Sequence, residues 1–128
     1  MAKILIIDDT PNFRAVLDIL LRGNGYDVLL ADNGRRGLEL YRQEHPDVIT
    51  LDLNMPGLDG IAVLKEIRKV DQKQPVIVMT GDTNPESERQ VRALGVSEFI
   101  IKGVSLEVLT DALRHLLTNR SSDGNVAA

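Results

Sequence analysis

Residues 3–25 read Lys3-Ile4-Leu5-Ile6-Ile7-Asp8-Asp9-Thr10-Pro11-Asn12-Phe13-Arg14-Ala15-Val16-Leu17-Asp18-Ile19-Leu20-Leu21-Arg22-Gly23-Asn24-Gly25. Four consecutive apolar residues, Ile4 to Ile7, stop at a pair of acids, and such an uninterrupted run suits a strand covered on both faces. Phe13, Val16, Leu17, Leu20 and Leu21 then recur at helical spacing. Thr10 stands as N-cap, Pro11 falls in the first turn, and Gly23 or Gly25 provides the stop. A buried strand, an acidic turn and an amphipathic helix form the first part of a βαβ unit.

The same alternation runs along the rest of the chain. Val28-Leu29-Leu30, Val48-Ile49-Thr50-Leu51, Val76-Ile77-Val78-Met79 and Phe99-Ile100-Ile101 read as four more buried strands. Between them lies a helix after Asn33, with Leu38 and Tyr41, weakened by Gly34 and Gly37 and closed by His45-Pro46. Another is predicted from Leu58 through Ile61, Leu64 and Ile67. A fourth starts at Asn84-Pro85, with Glu86 and Glu88 in its first turn, and ends at Gly95. Ser105 caps the fifth, whose stripe is Leu106, Leu109, Leu113 and Leu116. Five strands alternating with five helices predict an α/β domain, a doubly wound five-stranded parallel sheet flanked by five helices. The domain is expected over residues 1–119, with 120–128 (Arg-Ser-Ser-Asp-Gly-Asn-Val-Ala-Ala) as a disordered tail or the start of a linker.

Composition narrows the function classes. With 128 residues, 43% hydrophobic and 27% charged, the chain builds one core without disulfide or metal staples. It has no cysteine. Disulfides, iron–sulfur clusters and thiol catalysis are excluded, and only His45 and His115 remain as soft metal ligands. No apolar run approaches the roughly 20 residues of a membrane helix, so no membrane insertion is expected. No secretory signal follows Met1-Ala2-Lys3, which predicts a cytoplasmic location. A net charge of −4 argues against direct nucleic-acid binding.

In open α/β sheets, ligands sit outside the carboxyl ends of the strands, near the point where strand order reverses. Asp8-Asp9 follow the first strand, Asp52 ends the third, Thr80-Gly81 follow the fourth, and Lys102 follows the fifth. Singly, each has an ordinary explanation as a turn acid, a strand terminus or a surface lysine. Their gathering at one rim has none. Three neighbouring carboxylates repel, which raises their pKa values unless a cation intervenes, and hard oxygen ligands suit Mg²⁺ or Mn²⁺. Three carboxylates against one ammonium leave a formal charge of −2, which one divalent ion cancels. A carboxylate so placed, with a lysine and a hydroxyl beside it, is equipped to attack a phosphoryl group in line and become an aspartyl phosphate.

Four motifs carry a family resemblance: Ile6-Ile7-Asp8-Asp9, Leu51-Asp52-Leu53-Asn54-Met55-Pro56-Gly57-Leu58-Asp59-Gly60, Met79-Thr80-Gly81 and Phe99-Ile100-Ile101-Lys102. Over about residues 3 to 118 the chain resembles the receiver domain of bacterial two-component response regulators, stand-alone chemotaxis-type receivers in particular. The resemblance implies a flavodoxin-like fold with strand order 2-1-3-4-5. It implies Asp52 as phosphoacceptor, with Asp9, Asp52 and the Asn54 carbonyl binding Mg²⁺ directly and Asp8 acting mostly through a water. Thr80 and Lys102 would contact the phosphoryl group, Gly81 would keep the site accessible, and Thr80 with Phe99 would form the switch. The implied partners are a sensor histidine kinase or histidine phosphotransfer protein and a downstream protein target, the latter on the face of the fourth helix, fifth strand and fifth helix. The implied role is a phosphorylation-dependent signalling switch rather than a turnover enzyme.

One position departs from that pattern, because Gly103 stands where receivers usually carry a proline after a cis peptide. Before glycine a cis bond costs about 2.5–4 kcal/mol. The alternative reading is a receiver-like interaction module that works without phosphorylation. An aspartyl-phosphate hydrolase would need a second acid two residues after its nucleophile, where this chain has Asn54. A nucleotide-binding reading lacks a glycine-rich loop after the first strand.

Overall fold

The computed structural model describes the backbone of residues 1–127 and the side chains of residues 1–118. Its elements alternate throughout: β1 (Lys3–Ile7), α1 (Pro11–Gly23), β2 (Asp27–Ala31), α2 (Gly34–Glu44), β3 (Val48–Leu51), α3 (Gly60–Val70), β4 (Val76–Thr80), α4 (Pro85–Leu94), β5 (Glu98–Ile101) and α5 (Glu107–Ala127). The five strands form one sheet in the order β2-β1-β3-β4-β5, with every neighbouring pair parallel. Strand order reverses at β1, so the crevice between β1 and β3 is where a ligand site is expected.

The apolar runs are continuous because successive side chains point into two different cores. Leu5 and Ile7 pack with Leu38, Tyr41, Leu64, Ile67 and Val91 under α2, α3 and α4. Ile4 and Ile6 pack with Leu17, Leu21, Leu109 and Leu113 under α1 and α5. Ile4, Leu5 and Ile6 are wholly buried. Truncating any of them to alanine costs about 2–5 kcal/mol. The two edge strands are less covered than their apolar composition suggests, since Leu30 in β2 and Glu98 in β5 face solvent.

Local chemistry sets the ends. Asn33, Asp59 and Asn84 each accept a backbone N–H at the start of α2, α3 and α4, from Arg36, Ala62 and Glu86 respectively. His45 closes α2 in the left-handed region at φ 50°, ahead of Pro46. Two expectations are corrected. Thr10 occupies the N-cap of α1, but its hydroxyl makes no capping bond, and Pro11 alone presets the first turn. The third helix begins at Gly60 rather than Leu58, because Asp59 supplies the cap and Leu58 packs from the preceding loop. α5 runs on to Ala127, into the segment 120–128 expected as a disordered tail or the start of a linker, and this stretch holds no proline to break it. Residue 128 of that tail lies outside the described residues. His115 sits within α5.

Gly60 shows how the fold presses on the site. A Cβ there would collide with the Asp52 carbonyl and come within 2.6 Å of Leu53 Cα. Its N–H donates to the Leu53 carbonyl at 3.0 Å. Only a residue without a side chain lets α3 start directly against the backbone that carries Asp52. Among the described residues no helix is long and apolar enough to cross a membrane.

Candidate functional site

Register brings the polar residues together. Ile7 pairs with Leu51, so Asp8 and Asp52 leave the sheet side by side. Thr80 pairs with Ile101, which places Thr80 and Lys102 at the same rim on the next two strands. Asp8, Asp52 and Thr80 are all but inaccessible, at 2%, 3% and 0% exposure. Buried charge of this kind is tolerated only when it is paired, hydrogen-bonded or metal-bound.

The partners are specific. Asp8 Oδ1 accepts the Thr10 N–H at 2.8 Å, and Asp8 Oδ2 lies 2.9 Å from Lys102 Nζ. Asp52 Oδ1 accepts the Asn54 N–H at 3.2 Å, and Asp52 Oδ2 lies 3.3 Å from the same ammonium. Asp9 is half-buried beside them. One carboxylate oxygen from each of Asp8, Asp9 and Asp52 falls within 4.8 Å of the others. Three oxygens in one small volume, against a single ammonium, are a donor set of the right hardness and charge for a divalent cation such as Mg²⁺. Thr80 Oγ1 accepts the Asp82 N–H at 3.1 Å, which leaves its own hydrogen to donate. Beside the rim opens a groove of about 450 Å³ lined by Asn54, Met55, Pro56, Asp59 and Asp82 among others.

Burial sets the electrostatics. It holds the Asp52 carboxyl above the usual carboxylate range; Lys102 pulls it back in part, and the Asp8 charge pushes it up further. Burial also disfavours the Lys102 ammonium. The hydrogen bond and charge of Asp8, then those of Asp52, more than offset this and hold its pKa above the ordinary lysine value.

The sequence matches the response regulator receiver domain over residues 4–114. The chain belongs to this family. It is 32% identical to sporulation initiation phosphotransferase F of Bacillus subtilis over 120 residues, covering 94% of this chain and 97% of that protein. Chemotaxis protein CheY4 of Vibrio cholerae has a similar structure, with TM-score 0.84 and 30% identity over 91% of this chain and 98% of that one. So does the response regulator TrrA of Thermotoga maritima in complex with Mg²⁺ and BeF, with TM-score 0.83 and 31% identity over 91% and 99% of the two chains. Three other curated regulators, each 35% identical, are longer, and this chain spans 26%, 52% and 27% of their length. Receiver domains are signalling domains rather than classical enzymes, and they typically bind Mg²⁺ at an acidic pocket.

This receiver domain keeps the 2-1-3-4-5 order and gathers Asp8, Asp9, Asp52 and Lys102 as the sequence led one to expect. Asn54 follows Asp52 with its side chain exposed and its N–H turned to the Asp52 carboxylate. Gly81 leaves open space where a Cβ would stand. Phe99 lies apart from the rim, half-buried against the α2–α3–α4 core, with the Arg92 guanidinium 5.7 Å from its ring centre. The peptide before Gly103 is trans, and Gly103 itself sits at φ 102°. His45 is exposed at the opposite end of the sheet, where the strands begin.

Two features escaped the sequence reading. The Phe13 ring, expected only as core stripe, has Lys102 Nζ 4.5 Å from its centre. Arg68 ties the C-terminal end of α3 to that of α4 by donating to the carbonyls of Leu94, Asp71, Gln74 and Gly95. The chain has two phenylalanines, and each carries a cation over its ring.

Proposed function

We propose that this receiver domain is a phosphorylation-dependent switch whose phosphoacceptor is Asp52. The observation that carries the reading is the convergence of the Asp8, Asp9 and Asp52 carboxylates within 4.8 Å, with the Lys102 ammonium bridging two of them. A protein of similar structure has been solved in complex with Mg²⁺ and BeF, and a set of three carboxylates able to hold a divalent cation stands here.

Asp9, Asp52 and the Asn54 carbonyl would hold Mg²⁺ directly. Both Asp8 oxygens are already engaged, by Thr10 and Lys102, which suits Asp8 to a water-mediated role. When bound, Mg²⁺ neutralises charge on the transferring phosphoryl oxygens. An Asp52 carboxylate oxygen forms the bond to phosphorus while the bond from phosphorus to the donor breaks, its electron pair leaving with the donor. In signalling the donor is the phosphohistidine of a kinase or phosphotransfer protein. Lys102 and the Thr80 hydroxyl then contact the phosphoryl oxygens.

The acyl phosphate adds about one negative charge where Asp52 stood. Thr80 moves to answer it and frees space behind β4, and Phe99 turns inward from beneath Arg92. The surface of α4, β5 and α5 thereby shifts between two packings and presents itself to a downstream protein. The alternative, an interaction module indifferent to phosphate, loses support from the intact acidic cluster. Incubation with acetyl phosphate and Mg²⁺ tests the reading: wild type gains one phosphoryl group by intact mass and Asp52→Asn gains none. Equal incorporation by the two proteins sinks it.

A further inference from the structure

Lys102 must hold a long, flexible side chain in a single direction, and its own loop gives it little help. Gly103 follows at φ 102°, with nothing within 4 Å of the place a Cβ would take. Val104 beyond it is half-exposed, so little side-chain packing braces the backbone just after Lys102. Two of the contacts that aim the ammonium are charges, Asp8 and Asp52. Their pull is not constant. It weakens when a divalent cation joins the carboxylates, and it changes direction when phosphoryl oxygens take the place of the Asp52 carboxylate.

Among the described residues, the ammonium also rests against the ring of Phe13, 4.5 Å from Lys102 Nζ. Phe13 stands in the first turn of α1, half-buried, and packs against the core shared by Leu17, Leu21 and Leu109. The quadrupole of an aromatic face attracts a cation whatever the charge state of neighbouring carboxylates. We infer that Phe13 is a positioning residue, a neutral platform that keeps the Lys102 ammonium at the rim before and after phosphoryl transfer. It does so in a chain whose loop after the lysine is a glycine. The inference rests on the reading of Asp52 as phosphoacceptor.

The test compares Phe13→Leu and Phe13→Tyr with the wild-type protein. Three readouts are taken: the proton shifts of the Lys102 ε-methylene, Mg²⁺ affinity, and the rate of phosphorylation by acetyl phosphate at saturating Mg²⁺. The aromatic face displaces the ε-methylene signal upfield in wild type and Phe13→Tyr, and Phe13→Leu loses that displacement. Mg²⁺ affinity stays within about twofold, since no ligand is touched. Attractions of this type correspond to about 2- to 30-fold, so phosphorylation of Phe13→Leu slows several-fold and Phe13→Tyr recovers it. If leucine unfolds the protein, Phe13→Met, with a similar apolar volume and no ring, takes its place. A wild-type rate in the leucine or methionine variant, or a tyrosine variant no faster than leucine, overturns the role of Phe13. A wild-type protein that takes up no phosphate overturns the reading of Asp52 instead, and the two failures are thus told apart.

Discussion

The Lys102 ammonium lies 2.9 Å from Asp8 Oδ2, nearer than its 3.3 Å approach to Asp52 Oδ2. In the resting molecule the lysine therefore serves chiefly as counterion to Asp8, the acid proposed to meet Mg²⁺ only through a water. In the proposed switch, metal and lysine compete to offset the same negative charge.

Lys102→Met follows from that competition. Without its ammonium the metal-free domain keeps buried acids unpaired and loses about 1–3 kcal/mol, below the 3–5 of a fully buried pair because Lys102 is partly open to solvent. Mg²⁺ affinity rises, since one competing positive charge is gone, while phosphorylation slows. Urea unfolding with and without Mg²⁺ reads both effects, and a variant that binds Mg²⁺ more weakly than wild type contradicts the account.

The raised pKa of Asp52 gives a pH dependence with a fixed sign. In chelator, the native state holds this proton more tightly than the unfolded chain, so Asp52 destabilises the fold at neutral pH. That cost fades as pH falls through the raised native pKa and is gone below the ordinary carboxylate range. Asp52→Asn should be more stable than wild type at pH 7, with the difference closing on acidification. Thermal melts in chelator across that range check it; a difference that widens toward acid refutes it.

Asp8 and Asp9 should part company in metal binding. Asp9→Asn weakens Mg²⁺ more than Asp8→Asn, because the Asp8 oxygens are already engaged by Thr10 and Lys102. At a Mg²⁺ concentration of 100 times Kd the wild-type domain gains about 2.7 kcal/mol. At that same concentration Asp9→Asn gains much less. Calorimetric titration ranks the three proteins, and the reverse order would show Asp8 to be the direct ligand.

The strands were legible because both faces of the sheet are covered, which turns Ile4 to Ile7 and Val76 to Met79 into unbroken apolar runs. The acidic rim was legible for a topological reason, as Asp8, Asp52, Thr80 and Lys102 each follow or end a strand at its carboxyl end. Solvent at the edges was not, since Leu30 is as apolar as its buried neighbours. Nor was the bond pattern of Arg68, whose acceptors are backbone carbonyls up to 27 residues away, without side-chain identity to read. Phe13 was hidden by its own periodicity: the helical spacing that marks a core stripe says nothing about which cation rests on the stripe's upper end.

In the proposed switch the signal runs through Thr80 and Phe99. Thr80→Ala still takes phosphate on Asp52 but no longer draws Phe99 inward. Amide NMR shifts across residues 84–118, compared between wild type and Thr80→Ala with a phosphoryl mimic bound, check the coupling. The same shifts in both would remove Thr80 from the path. Arg92→Ala, which uncovers the Phe99 ring, should move wild-type shifts toward the phosphorylated pattern even without phosphate.

The central claim is that one carboxylate, Asp52, takes the phosphoryl group and needs Mg²⁺ to do so. Acetyl phosphate treatment, borohydride reduction of the acyl phosphate to homoserine, and peptide mass mapping locate it directly. The account predicts homoserine at position 52 alone, present with Mg²⁺ and absent in chelator. Modification at Asp8, Asp9 or any other acid, or the same yield without metal, would contradict it.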